Sequence, residues 1–344
     1  MHATVFYSEK FDYDSIRALS ERACEESDIR KNDQVAVKVH FGEKGNSRFV
    51  SPQSIKPILD SLKNYSAHFF LTDANTLYRG MRTIASDHRK IALEHGFGAL
   101  SAPIVIADGE KGAEEEQIAI NKPIFPRVKI ARRIATADVV IAISHFKGHM
   151  LFSFGGAIKN IGMGSGSRAG KLEMHSKIKP SVGASCLSCG QCVEFCPADA
   201  IDMTEGGRAT IDKSRCIGCA KCISVCEKGA IEVPWAGASA KEVQERCAEY
   251  AFGVLKGKRR VCVTFINNIS KDCDCLADTK LIGRDVGVVA STDPVACDQA
   301  AYDLVLEKEG KDIFKAATRV AGHYILDHAE RIGLGVKAYR LVRL

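Results

Sequence analysis

Residues 186–197 read CLSCGQCVEFCP and residues 216–227 read CIGCAKCISVCE, so Cys186, Cys189, Cys192 and Cys196 recur thirty positions later as Cys216, Cys219, Cys222 and Cys226. Each run places three thiols on a tight loop and a fourth at the start of the next helical turn, a spacing that suits a cubane iron–sulfur cluster. In paired runs of this kind the fourth cysteine reaches the other cluster. The expected wiring is therefore crossed: Cys186, Cys189, Cys192 and Cys226 hold one 4Fe–4S cluster, and Cys216, Cys219, Cys222 and Cys196 hold the second. A zinc ribbon uses two pairs of cysteines, and a disulfide framework needs an oxidising compartment. Neither accounts for a four-membered run ending in Cys196-Pro197.

The duplication extends past the cysteines, because Ala200-Ile201-Asp202-Met203 is echoed by Ala230-Ile231-Glu232-Val233. The stretch 181–236 resembles a bacterial dicluster ferredoxin, with two strands and two short helices, and that resemblance implies single-electron transfer. One departure is visible: Cys226 is followed by Glu227, where the first run has proline. A charge there alters the surroundings of the neighbouring cluster.

On either side of this stretch, short β-rich segments alternate with amphipathic helical ones. Strands are expected at 3–8, 34–40, 68–74, 102–108 and 138–145, and helices at 12–28, 51–65 and 81–97, the second opening with Ser51 as cap and Pro52 in the first turn. After the cysteine runs the pattern resumes with strands at 259–266 and 285–291 and a helix opened by Asp293-Pro294. The expected fold is thus an α/β domain with an open, mainly parallel sheet and helices on its faces. Its two parts, 1–180 and 237–344, flank the inserted α+β cluster module at 181–236.

The chain has 344 residues, 46% of them apolar and 26% charged, enough for a large buried core. Its 48 basic and 42 acidic side chains are spread without a basic block, so no nucleic-acid partner is expected. No apolar run approaches a membrane span, and MHATVFYSEK lacks the apolar core of a signal peptide. Fourteen cysteines without an export signal point to reduced thiols, a cytoplasmic location and a low-oxygen setting.

Ligands of an open parallel sheet bind beyond the carboxyl ends of its strands, which here carry His40, Asp73, Asp108 and Ser144-His145. Asp108, followed by Gly109, reads as an ordinary polar loop residue. His40 follows VAVKV, whose valines face one way, so it shares the opposite side with Lys38 and faces either a site or solvent.

The densest constellation is residues 144–175, SHFKGHMLFSFGGAIKNIGMGSGSRAGKLEMH, expected to run from a strand through a glycine-rich turn. His145, His149 and His175 can ligate a metal or move protons, and Lys159 and Arg168 can neutralise an anion. Gly155, Gly156, Gly162 and Gly164 would let backbone N–H groups approach an anionic organic cofactor. The segment matches neither GxxxxGK[ST] nor GxGxxG. Downstream, Cys273 and Cys275 in KDCDC are candidate soft ligands for a further metal, together with His40 and the three histidines. Cys24, Cys247, Cys262 and Cys297 read as small buried hydrophobes.

Taken with KVHFGE near 38, TDANTLYRG, SHFKGH, GGAIKNIGMG, the CDC loop and STDPVACDQAAYDL near 291, the chain resembles the domain-of-unknown-function family numbered 362, described as uncharacterised iron–sulfur centre proteins. It is more distantly similar to the lactate racemase superfamily, whose glycine-rich segment carries a lysine that anchors a nickel-pincer nucleotide, with histidines around it. That similarity implies matching positions for His149, Lys159 and His175, on the same architecture with a different ligand.

The leading expectation is an iron–sulfur oxidoreductase or a component of one. Two clusters pass single electrons to a site where Lys159, His149, His175 and Asp73 act. An electron carrier that docks a redox partner protein and a cofactor-assembly or metal-delivery protein are the alternatives. The module itself, with seven acids and five bases over 181–236, is too mildly charged to specify a partner.

Overall fold

In VVIAISH, residues 139–145, Val140 and Ala142 pack on one side while Val139, Ile141 and Ile143 pack on the other, and all seven residues are buried. That is the signature of a central strand covered on both faces. The computed structural model describes residues 2–235 and 237–344. Met1 and Ala236, the latter the last residue of the expected insert, lie outside the described residues.

Eight strands form the main sheet: β1 (Ala3–Ser8), β2 (Val35–Lys38), β3 (Phe69–Asp73), β4 (Ile104–Ile106), β5 (Val139–His145), β6 (Arg259–Ile266), β7 (Gly287–Ser291) and β8 (Tyr339–Arg343). Their order is β8-β1-β7-β6-β5-β2-β3-β4. Only β7 runs against its neighbours β1 and β6, while the other pairs are parallel. The open, mainly parallel α/β sheet is the architecture expected from the alternating segments.

Helices α1 (Tyr13–Glu25), α2 (Pro52–Leu62) and α3 (Ala85–Glu94) bury Ile16, Leu19, Ile55, Leu59 and Ala92 against one face. Helices α4 (Ala157–Ser165), α5 (Arg168–His175), α6 (Ala240–Leu255) and α7 (Pro294–Glu309) belong to the other side, where Ile158, Ile161, Tyr250, Ala251, Val295 and Ala300 share one core. The caps work as their residue types dictate: the Ser51 side chain accepts from Ser54 N at 3.2 Å, and Asp293 accepts from Val295 N at 2.8 Å and Ala296 N at 3.0 Å. No helix among the described residues is long and apolar enough to cross a membrane.

The glycine-rich segment differs from the expected turn. It folds as a hairpin, Lys147–His149 with Ser153–Gly155, followed by α4 and α5. Glycine is a poor helix former, but here tertiary packing overrides propensity. A Cβ at Gly162 would stand 2.3 Å from the Cys247 carbonyl of α6, so glycine is what lets the two helices approach.

The N-terminus of α4 is closed by a residue from α7. Asp298 accepts from Ala157 N at 2.6 Å and Ile158 N at 2.9 Å, and is 1% exposed. Replacing it with alanine strands two buried donors, so Asp298→Ala should cost about 2 kcal/mol and lower the thermal midpoint. A midpoint unchanged from wild type in a melting curve would contradict this.

Between α5 and α6 lies the cysteine-rich insert. Its two halves pair as small ladders, Ile201–Met203 with Ala209–Ile211 and Ser181–Val182 with Ile231–Glu232. Left-handed backbone recurs thirty residues apart, at Ser188 and Gly218, Gly190 and Ala220, Asp199 and Gly229. The sequence repeat is therefore a repeat of conformation, which fits a ferredoxin-like insertion.

Candidate redox and ligand site

The insert sorts its cysteines into two sets of four. Cys186, Cys189, Cys192 and Cys226 line one cavity of about 100 Å³, and Cys196, Cys216, Cys219 and Cys222 line a second of about 20 Å³. Each set combines three thiols of one run with the last thiol of the other. The two exchanged cysteines are treated alike: Ala200 N donates to Cys196 Sγ at 3.3 Å, and Ala230 N donates to Cys226 Sγ at 3.1 Å. Four thiols around a cavity with backbone donors to sulfur are the donor set that a 4Fe–4S cluster requires.

A larger cavity of about 580 Å³ opens where the carboxyl ends of β2, β3 and β5 meet the 147–155 hairpin, α4 and the 272–276 loop. It is lined by Lys38, His40, Asp73, Arg82, His145, Lys147, His149, Lys159, Lys171, His175, Cys273, Asp274 and Cys275. The topology explains the convergence, since loops after parallel strands open on one edge whatever their separation in sequence.

Buried ion pairs shape its floor. Lys38 Nζ lies 2.9 Å from Asp73 Oδ1 and donates to Asn160 Oδ1 at 2.8 Å; Arg82 reaches Asp73 Oδ2 at 3.2 Å and Glu43 Oε2 at 3.3 Å. Burial alone would raise Asp73, but Lys38, His88 and Arg82 outweigh it and hold the carboxyl well below its usual range. On the opposite wall, Asp274 is gripped by Lys147 Nζ at 2.5 Å and His145 Nδ1 at 3.1 Å. Against these pairs stands Lys159, which among the described residues makes no ion pair and lies 5.7 Å from the Phe152 ring centroid. Burial would lower its pKa, yet the sulfurs of Cys273 and Cys275 more than compensate and keep it charged.

Cys273 and Cys275 stand one residue apart on the loop, and both line the cavity. His40 Nδ1 accepts from Gly42 N at 3.0 Å, which places the imidazole proton on Nε2, 3.3 Å from Cys275 Sγ. The neighbouring Cys273 thiol chiefly holds Cys275 well below its ordinary range, with His40 and Arg82 adding to it; Cys273 is correspondingly raised. Of the two, Cys275 is the sulfur poised to ionise first.

Several expected roles need correction. Arg168 does not reach the cavity: its guanidinium donates to the carbonyls of Lys111 at 3.2 Å and Thr76 at 2.8 Å and to that of Thr83, and so pins loops together. Gly162 faces α6 and offers no backbone to a cofactor. Gly155 and Gly164 act by close approach to lysines, because a Cβ would stand 3.0 Å from Lys159 Cδ or 2.7 Å from Lys38 Nζ; Gly156 lines the cavity but backs onto Asp298.

His40, His145, His149, His175, Cys273 and Cys275 share the cavity. Among the described residues, however, no three such donors converge as a metal ion would require. The reason is visible at three rings. His145 spends Nδ1 on Asp274 and Nε2 on the Asn267 carbonyl at 2.7 Å, His149 Nδ1 accepts from Leu151 N at 3.1 Å, and His40 is committed to Cys275. Asp108 accepts from Asn75 N and Nδ2, both at 2.9 Å, as an ordinary loop tie. Cys24, Cys247, Cys262 and Cys297 are buried hydrophobes as expected, burial pushing the Cys24 and Cys247 thiols up to about 12.

Lys38, Arg82, Lys147, Lys171 and Trp235 were not singled out from sequence. Lys38 had a signal, a cation inside the apolar strand VAVKV; Arg82 had none, since it joins the site only through the fold of the 74–84 loop. Trp235, next to last in the insert, meets His175 edge-on, ring centroids 5.0 Å apart.

Burial, with Lys159 second, pushes His175 down to about 4, and burial likewise lowers His88 to about 4 against the pull of Asp73. Both rings should stay neutral at pH 6, where an unfolded histidine, titrating near 6.5, is largely protonated. Their contribution to stability is intact above pH 6.5 and is lost as pH falls toward 4. Imidazole nitrogen shifts should therefore remain those of neutral rings down to about pH 5. A His88 ring titrating near 6.5 would refute the burial argument.

The insert touches the wall of this cavity. Ala220, between Cys219 and Cys222, packs with Leu77 and Leu172, and Leu77 lines the cavity. Within the insert, Cys189 is exposed.

The fold is similar to the lactate racemase apoprotein from Thermoanaerobacterium thermosaccharolyticum, at 14% identity and a TM-score of 0.43, over 89% of this chain and 57% of that one. It is also similar to a Thermotoga maritima protein solved by a structural genomics consortium, at 10% identity and a TM-score of 0.36, over 93% of this chain and 59% of that one. The chain thus spans less than two thirds of the length of either. No curated protein matches it. The family described as Domain of unknown function (DUF362) matches residues 35–303, which takes in the main cavity, the insert and the cysteine loop, and the chain belongs to that family.

Proposed function

We propose that the protein is an iron–sulfur oxidoreductase, or the electron-handling component of one, in which the insert serves a ligand bound in the 580 Å³ cavity. Cys186, Cys189, Cys192 and Cys226 hold one 4Fe–4S cluster, and Cys196, Cys216, Cys219 and Cys222 hold the other. When bound, these groups supply one-electron reduction and oxidation. The observation that supports the reading is the apolar cluster that Ala220, between Cys219 and Cys222, forms with Leu77 and Leu172, of which Leu77 lines the cavity. The exposed Cys189 side of the insert is then where a redox partner protein docks.

The chain's own groups indicate the ligand. Lys159 is a half-buried cation that makes no ion pair among the described residues, and Lys171 donates to Gly166 O at 2.6 Å, its ammonium lowered to about 8 by burial. Together they favour an anionic organic molecule, while Phe152, Leu77 and Trp235 shelter its apolar part. His149 and His175 are neutral at physiological pH, so they accept protons rather than donate them. The fourteen free thiols suit a reducing cytoplasm.

Anaerobic purification followed by iron analysis and mass spectrometry of released small molecules tests the proposal. Two cubane clusters and an acidic small molecule are expected. Protein that carries zinc and no iron would overturn it.

A further inference from the structure

Cys273 and Cys275 sit on a turn closed by Leu276 N on the Cys273 carbonyl at 3.1 Å and fastened to the 43–46 loop by Glu43 N on the Asp274 carbonyl at 3.0 Å. Asp274 between them is fixed by Lys147 and His145. The loop thus holds two thiols together at the cavity wall, with the Nε2–H of His40 on Cys275. Such a pair has a chemistry of its own. A thiolate beside a second thiol attacks disulfides, and the second thiol resolves the product.

We propose that Cys273 and Cys275 are a redox-active dithiol that reduces a small anionic disulfide bound in the cavity. This names the ligand class for the site proposed above and rests on that reading for the return of electrons. Cys275 Sγ attacks one sulfur of the ligand. The ligand S–S bond breaks, a mixed disulfide forms on Cys275, and the first half leaves as a thiolate. Cys273 gives its proton to that thiolate and attacks Cys275 Sγ. The mixed disulfide breaks, the Cys273–Cys275 disulfide forms, and the second half leaves as a thiolate. Two electrons have passed from the protein sulfurs to the ligand, and two electrons and a proton from a one-electron donor acting twice restore the pair.

A disulfide between cysteines one residue apart closes a small, strained ring and is easily reduced, as a turnover intermediate must be. Lys159, which lines the same cavity as both cysteines, is placed to hold a carboxylate of the ligand. Cys24, Cys247, Cys262 and Cys297 are sealed in the core and cannot substitute.

The full-length protein, reduced with dithiothreitol and desalted anaerobically, is exposed to glutathione disulfide, alkylated and digested with trypsin. The peptide Asp272–Lys280 should escape alkylation and be two hydrogens lighter. Cys273→Ser should instead retain one glutathione on Cys275, and Cys275→Ser should retain none. Alkylation of both cysteines in the exposed wild type, or no adduct on Cys275 in Cys273→Ser, overturns the proposal. Iron content and cluster absorbance of the same samples separate it from the reading above. Iron-free protein that forms the disulfide sinks the cluster reading and leaves the dithiol standing; fully loaded protein that forms none does the reverse.

Discussion

Serine at Cys196 should cost the protein the cluster that begins at Cys216 and leave the one that begins at Cys186, so that iron falls from about eight to about four per chain. Serine at Cys226 should do the converse. The expectation rests on the two cavities, each lined by three thiols of one run and the last of the other. The backbone donors Ala200 N and Ala230 N point at the exchanged sulfurs, so each substitution also removes a hydrogen-bonded ligand. Electron paramagnetic resonance of the dithionite-reduced variants reads the outcome, because two interacting clusters give a coupled spectrum and one gives a simple one. If Cys196→Ser instead spares the cluster of the second run and damages that of its own, the wiring is local and the crossed assignment falls. Glu227, in place of a second proline, predicts that the two single-cluster variants differ in potential.

The sequence disclosed what depends on period and spacing. β1 and β6 fall on the expected residues 3–8 and 259–266, since alternating apolar runs bounded by polar residues leave little freedom. Ser51-Pro52 and Asp293-Pro294 marked helix starts because capping is local chemistry. The glycine-rich segment was misjudged because what makes it helical lies elsewhere: Gly162 is excused by α6, and Asp298 caps α4 from 140 residues away. β8 was missed as a strand because YRLVR alternates only briefly and takes its place by pairing with β1. In the site, residues on strand ends were legible, whereas Arg82 and the fate of Arg168 depend on how the 74–84 loop folds.

The same cavity separates an enzyme from a carrier. An electron carrier needs only its clusters, so Lys159→Ala and His149→Ala should leave cluster absorbance and reduction by dithionite intact in either case. If the cavity binds the ligand, both variants should lower turnover or in-cell complementation by about 100-fold or more, the scale on which a buried charged or hydrogen-bonding group acts. Alanine at 159 also removes the stem that crosses Gly155 and approaches Phe152, so loss of packing alone could mimic loss of charge. Lys159→Met resolves this by keeping the stem and discarding the ammonium. Equal loss in the methionine and alanine variants, at unchanged melting temperature, assigns the effect to the cation. Full complementation by the alanine variants at both positions would leave the cavity without a role in turnover and the clusters as the working part, as a carrier requires.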